Sequence, residues 1–116
     1  MTVATDGFNP LKLRSFEIAA STTSAPANGT AIVAGAYELT ASVDMTVLVN
    51  TGSGNITATK LSATTTQPAT PNALFKLAAG QSKMVEVAAP SKIACITDSA
   101  SGWLAVSGPW ARASVP

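Results

Sequence analysis

With 116 residues, 47% of them hydrophobic, and a net charge of +1, the chain is sized for one domain around one core. Its seven basic residues are scattered among acids rather than gathered in a run, which leaves no electrostatic footprint for nucleic acid. No uninterrupted apolar stretch reaches membrane-spanning length, and a single cysteine rules out an intrachain disulfide.

Met1 to Pro10 opens with polar residues, an Asp6-Gly7 turn signal and Pro10. It is expected to be an extended arm, and without a basic start and apolar core it does not read as a secretion signal. Synthesis in a reducing cytoplasm follows as the expectation. In "LKLRSFEIA", Leu11 and Leu13 share one phase and Phe16 and Ile18 the other, so a bulge is expected near Arg14-Ser15. "SAPANGT" carries Pro26, Asn28 and Gly29 and reads as a loop. A short strand is expected over residues 31–33, broken by Gly35.

From Tyr37 to Val49 every second residue is apolar (Tyr37, Leu39, Ala41, Val43, Met45, Val47, Val49), with Glu38, Thr40, Ser42, Asp44, Thr46 and Asn50 between them. That is the pattern of a strand with one buried face. Thirteen positions exceed a usual strand of about five or six residues, so a corner is expected at residues 41–44. Leu48 breaks the polar parity and marks a second contact surface. "NTGSGN" reads as a hairpin loop, with residues 56–61 as the return strand. "SATTTQPATPN" is a polar, proline-bearing loop. Then strands "ALFKL", "KMVEVA", "KIACIT" and "WLAVS" alternate with turns "AAGQ", "AP" and "DSASG", the spacing of a sandwich or barrel. Helical periodicity is missing throughout. In the tail "GPWARASVP", prolines flank Trp110 and argue against strand pairing.

Leu, Ile, Val and Phe make up about a fifth of the chain, close to where disorder competes with folding. Disorder is favoured by high net charge, however, which is absent here. The expectation is a thin-cored, all-β, small antiparallel sandwich or jelly roll of about eight short strands at residues 11–107. An extended arm (1–10) and a tail (108–116) flank it. A low-charge exterior rich in Ala, Thr and Ser does little to keep molecules apart, which points to assembly.

Chemistry is hard to place on this chain. There is no histidine, the commonest general base and metal ligand. The acids Asp6, Glu17, Glu38, Asp44, Glu86 and Asp98 form no paired motif. Ser82-Lys83 and Ser91-Lys92 cannot act as nucleophile and base, because neighbours on a strand face opposite ways. Gly52-Ser53-Gly54 lacks a following helix to hold an anion. Asn28-Gly29-Thr30 and Asn55-Ile56-Thr57 match the glycosylation sequon, but chance matches are common in a Ser/Thr-rich chain. Cys95 reads as a buried small hydrophobe and Trp103 as a core anchor. Trp110 either plugs its own domain or docks into a neighbour, as interface tryptophans do. No enzyme activity, cofactor or metal is expected.

The stretch from Val47 to Ser107 resembles the small virion β domains of tailed bacteriophages, notably head decoration or cement proteins. Leu77-Ala78-Ala79-Gly80, the strand at residues 84–87, the strand at 93–97 and Ser101-Gly102 leading into residues 103–106 carry the likeness. An L-x-A-G turn also occurs in cupin-type jelly rolls, which bind metal through histidines that this chain does not have. The resemblance implies a structural protein on the outside of a phage capsid, with the major capsid protein as partner and a homotrimer as the assembly. It implies no nucleic acid, membrane or small-molecule substrate. Contacts are expected from Phe8 and Pro10 in the arm, from Leu48, and from Pro109, Trp110 and Arg112 in the tail. The alternatives are another virion part (head-fibre base, tail or connector) or a carbohydrate-binding sandwich module, whose usual row of exposed aromatics is missing from the sequence.

Overall fold

The computed structural model describes residues 8–9, 15–61 and 73–112, with side chains for 15–61 and 73–109. The described residues form nine strands and no helix. These are β1 (Phe8–Asn9), β2 (Ser15–Ala20), β3 (Ala25–Ile32), β4 (Gly35–Ala41), β5 (Met45–Thr51), β6 (Ala73–Leu77), β7 (Ser82–Val87), β8 (Ser91–Thr97) and β9 (Gly102–Arg112). The long apolar-alternating run does split: β4 and β5 flank a corner at residues 42–44.

The antiparallel pairs nest inside one another: β2 with β9, β3 with β8, β4 with β7, and β5 with β6. They form one long two-stranded ribbon folded over on itself. Rolling the ribbon brings β4 beside β9 and β5 beside β8. The result is two sheets, β2-β9-β4-β7 and β3-β8-β5-β6, with β1 continuing along the far end of β9. This topology is the eight-stranded jelly roll, one of the two expected sandwich types.

Alternation places the core between the sheets. Tyr37, Leu39, Ala41, Leu104, Val106 and Ile18 come from the first sheet, and Met45, Val47, Val49, Ile93, Cys95 and Leu77 from the second. Each large side chain removed from water contributes about 1.5–3 kcal/mol. Three local ties lock the corner between β4 and β5 to its neighbours. Trp103 N donates to Ser42 Oγ (2.7 Å), Ser42 N donates to the Trp103 carbonyl (3.0 Å), and Ala79 N donates to Asp44 Oδ1 (2.8 Å).

Three sequence expectations are corrected. First, residues 56–61 are not a return strand; β5 finds its partners in β6 and β8 instead. The segment lies as a strap on the outer side of that sheet. Ile56, Ala58 and Leu61 pack there with Leu48, Leu74, Ala94 and Ile96. Side chains and backbone of the roll hold it: Ala58 N donates to Ser24 Oγ (2.7 Å), Leu61 N to Thr46 Oγ1 (3.1 Å) and Ile56 N to the Asn28 carbonyl (3.2 Å).

Second, "SAPANGT" is not a free loop but most of β3. Its pairing with β8 jumps from Ala25↔Cys95 to Thr30↔Ile93. Asn28 and Gly29, both at positive φ, absorb the extra residues, so the turn chemistry is spent on a bulge within the strand. Third, the tail does not avoid pairing. β9 runs on to Arg112, with Trp110 in register opposite Ala36 and Ala111 and Arg112 opposite Asn9 and Phe8.

Pairing along β9 survives Pro109 because one extra residue is accommodated between Ser107↔Glu38 and Trp110↔Ala36. Gly108 makes this possible. Its φ is +147°, and a Cβ there would stand 2.7 Å from the Ala36 carbonyl oxygen and from the Tyr37 ring. Gly108→Val is therefore expected to lower unfolding free energy by about 2–4 kcal/mol, through overpacking and backbone strain. Gly54→Ala, where a Cβ meets nothing within 4 Å, is expected to stay within about 0.5 kcal/mol of the parent. Urea denaturation of the two variants checks the contrast.

Candidate interaction surface

Pairing register fixes which side chains share the outer face of the first sheet. Ser15, Glu17 and Ala19 on β2 stand opposite Ser107, Ala105 and Trp103 on β9. Glu38 and Thr40 on β4 stand between Ser107 and Ala105 on one side and Met84 and Ser82 on the other, with Glu86 at the far end of β7. Inside these strands the opposite parity carries Ile18, Leu104, Val106 and Leu39 into the core.

Trp103 is 40% exposed and Met84 43% exposed, so Trp103 is not the core anchor its sequence context promised. β9 offers one parity to the core, and Leu104 and Val106 take it. Apart from Glu17, Glu38 and Glu86, the rest of the face is small or hydroxylated, with cross-strand bonds Ser15 Oγ to Ser107 Oγ (3.1 Å) and Thr40 Oγ1 to Ser82 Oγ (2.7 Å). These bonds turn the hydroxyls toward each other.

The six expected contact residues are dispersed. Leu48 is buried in the outer cluster under the strap, so the second surface it marked is internal and Leu48 is not available to a partner. Pro109 is half-buried, beside the position a Cβ on Gly35 would occupy, 2.5 Å away. Phe8, Trp110 and Arg112 lie in paired backbone at one end of β1 and β9. Pro10 lies outside the described residues. Sequence reasoning missed Trp103, Met84 and the glutamates as one face. Parity in "GWLAVSG" was the signal that could have found Trp103, since Leu104 and Val106 occupy alternate positions.

On the opposite side of the roll, an open groove of about 720 Å³ runs between residues 22–28 and the strap. Thr22, Thr23, Ser24, Asn28, Thr57, Thr59 and Lys60 provide its polar lining, and Ala27, Ala58 and Ile96 its apolar part. No aromatic residue lines it. At the corner, Lys76 Nζ pairs with Asp98 Oδ2 at 2.7 Å, and Lys60 Nζ donates to the Asp98 carbonyl.

Reactive groups sit in inert settings. Ser91 is buried with its hydroxyl donating to the Ala89 carbonyl (2.9 Å), and the Lys83 ammonium stands over the Phe75 ring, 4.8 Å from its centre. Burial raises the Tyr37 hydroxyl above its ordinary value, opposed by its own hydrogen bond to the Val33 carbonyl (2.8 Å). Among the described residues no three His, Cys, Asp or Glu side chains gather closely enough to hold a metal ion.

Fold and surface together define a jelly-roll protein with one open sheet face and one face covered by its own strap. Comparison with known proteins returned no matching family model, no matching curated protein and no matching solved structure.

Cys95 is fully buried, and desolvation pushes its thiol up to about 11. The fold favours the neutral thiol, so its contribution to stability is intact below about pH 9. It is lost as the unfolded thiol ionises and the native one cannot. From pH 9 to 11 the unfolding free energy of the parent should fall on the order of 2 kcal/mol more than that of Cys95→Ala, because a tenfold change in proton affinity is worth about 1.4 kcal/mol. Equal pH slopes in urea titrations of the two proteins would contradict this.

Proposed function

We infer that the chain is a non-enzymatic structural virion protein that attaches to the outer surface of a phage capsid and stabilises it. Its partners are the major capsid protein and further copies of itself, as a homotrimer. The observation that carries this reading is the outer face of β2-β9-β4-β7, where a tryptophan and a methionine stand exposed among three glutamates and small or hydroxylated side chains. Exposed large apolar side chains on such a face mark contact surfaces, and tryptophan is prominent among the residues that dominate binding. Jelly rolls recur in viral capsid, lectin and cupin domains, so the architecture is compatible with the reading while the surface gives it content.

Attachment of this kind needs no reactive side chain. Each protomer supplies a face, and several protomers joined together turn modest contacts into durable ones through effective concentration. The carbohydrate-binding alternative finds a groove of suitable size but no aromatic platform in it.

Quantitative mass spectrometry of the purified virion of the phage that encodes the chain tests the assignment. Hundreds of copies per particle are expected for a capsid-surface protein. A dozen or fewer copies would assign it to the tail or neck instead, and its absence from the particle would overturn the structural role.

A further inference from the structure

Among the described side chains, the acids of this nearly neutral chain are not shared evenly between the two sheets. Three of its six acids, Glu17, Glu38 and Glu86, lie on the outer face of the first sheet with Trp103 and Met84. Among the described side chains that face carries no lysine or arginine. Lys92 and Lys76 belong to the outer side of the second sheet, Lys60 to the strap that covers it, and Lys83, on β7 of the first sheet, has the opposite parity and stands over the Phe75 ring. None of the three glutamates has an ion-pair partner among the described residues.

We propose that the outer face of β2-β9-β4-β7, formed by Trp103 and Met84 among Glu17, Glu38 and Glu86, docks onto a basic protein surface. That surface presents separate lysine or arginine side chains to the carboxylates and an apolar socket to Trp103. This rests on the attachment reading above and names the side of the molecule that faces the capsid.

Geometry narrows the occupant. Neighbouring strands are about 4.8 Å apart and alternate residues along a strand about 6.8 Å. Glu17 on β2 and Glu38 on β4 are thus separated by the width of β9 and one residue row. Glu17 is spread too far from Glu38 and Glu86 for all three to share one cation, so the set fits several cations held on a surface. Nucleic acid and anionic lipid are repelled by the same charges. A second copy docking through the same face would set glutamates against glutamates. What remains is a basic protein face, with the charges guiding encounter and register and Trp103 and Met84, two strands and four residues apart in register, supplying two separate apolar contacts.

The full-length protein and three variants, Glu17→Gln/Glu38→Gln/Glu86→Gln, Trp103→Ser and Met84→Ser, are titrated onto purified heads stripped of this protein, at about 50 and 300 mM salt, where screening differs strongly. Lys92→Gln, on the opposite sheet, serves as control, and urea midpoints confirm that each variant is folded. The triple variant and Trp103→Ser are expected to bind at least tenfold more weakly at low salt, and Met84→Ser severalfold more weakly. Lys92→Gln should bind as the parent does. Parent affinity should fall as salt rises, with little salt dependence left in the triple variant.

Heads that bind the parent, the triple variant and Trp103→Ser equally well overturn this proposal and leave attachment standing. Failure of the parent to bind heads overturns attachment and this proposal together. Self-association of the free parent that the triple variant abolishes, read by sedimentation equilibrium, overturns it in favour of a second copy as the occupant.

Discussion

Met45, Val47 and Val49 face the core, and Thr46 and Leu48, on the other side of the same strand, are buried as well. A strand enclosed on both faces in a small sandwich needs cover on its outer side. The rest of the molecule is arranged around that requirement. β5 sits inside its sheet between β8 and β6, and the strap lies on the outside. The strap is held by side-chain acceptors, Ser24 Oγ and Thr46 Oγ1, in place of a strand ladder. This explains how a chain poor in large aliphatic residues still folds as a sandwich, since the second sheet gains a small apolar layer beyond the main core.

The consequence is a molecule with two unlike sides. The second sheet is covered by its own chain, while the first sheet keeps its outer face open, with three glutamates among its described side chains. The open face is also the better organised of the two for contact. Its hydroxyls are tied across strands, and its two large apolar side chains stand on paired strands rather than on loops. A preorganised surface of this kind loses little freedom on binding. The registry of β9 with β1 and β4 ties residues 110–112 into strand pairing, so the proposed contact is placed on the sheet face rather than on trailing ends.

Much of the architecture was legible in the sequence because alternation is a strong signal. The corner between β4 and β5, the strands β6, β7 and β8, and the burial of Cys95 all follow from parity and turn residues. What was not legible depended on partners far away in the chain. Residues 56–61 alternate like a strand, but the ribbon had already paired β5 with β6 and β8, leaving them only an outer face to cover. Pro26, Asn28 and Gly29 carry loop chemistry, yet a bulge uses the same backbone conformations. Pro109 argues against a ladder locally, while Gly108 lets the strand step over it. Leu48 breaks the alternation and was expected at a contact with a partner, but the strap buries it within the chain's own outer cluster. Of the contact surface, little could be read in advance, because Glu17, Glu38, Met84, Glu86 and Trp103 are joined by register alone.

Side-chain oxidation footprinting is the most direct measurement of whether the open face is the working one, because Met45 and Met84 form an internal pair. Met45 is fully buried and Met84 is 43% exposed. In the free protein Trp103 and Met84 should oxidise readily and Met45 slowly. On the assembled particle Trp103 and Met84 should become protected while residues of the strap keep their free-state reactivity. Unchanged oxidation of Trp103 and Met84 on the particle, with protection appearing on the strap side instead, would contradict the assignment.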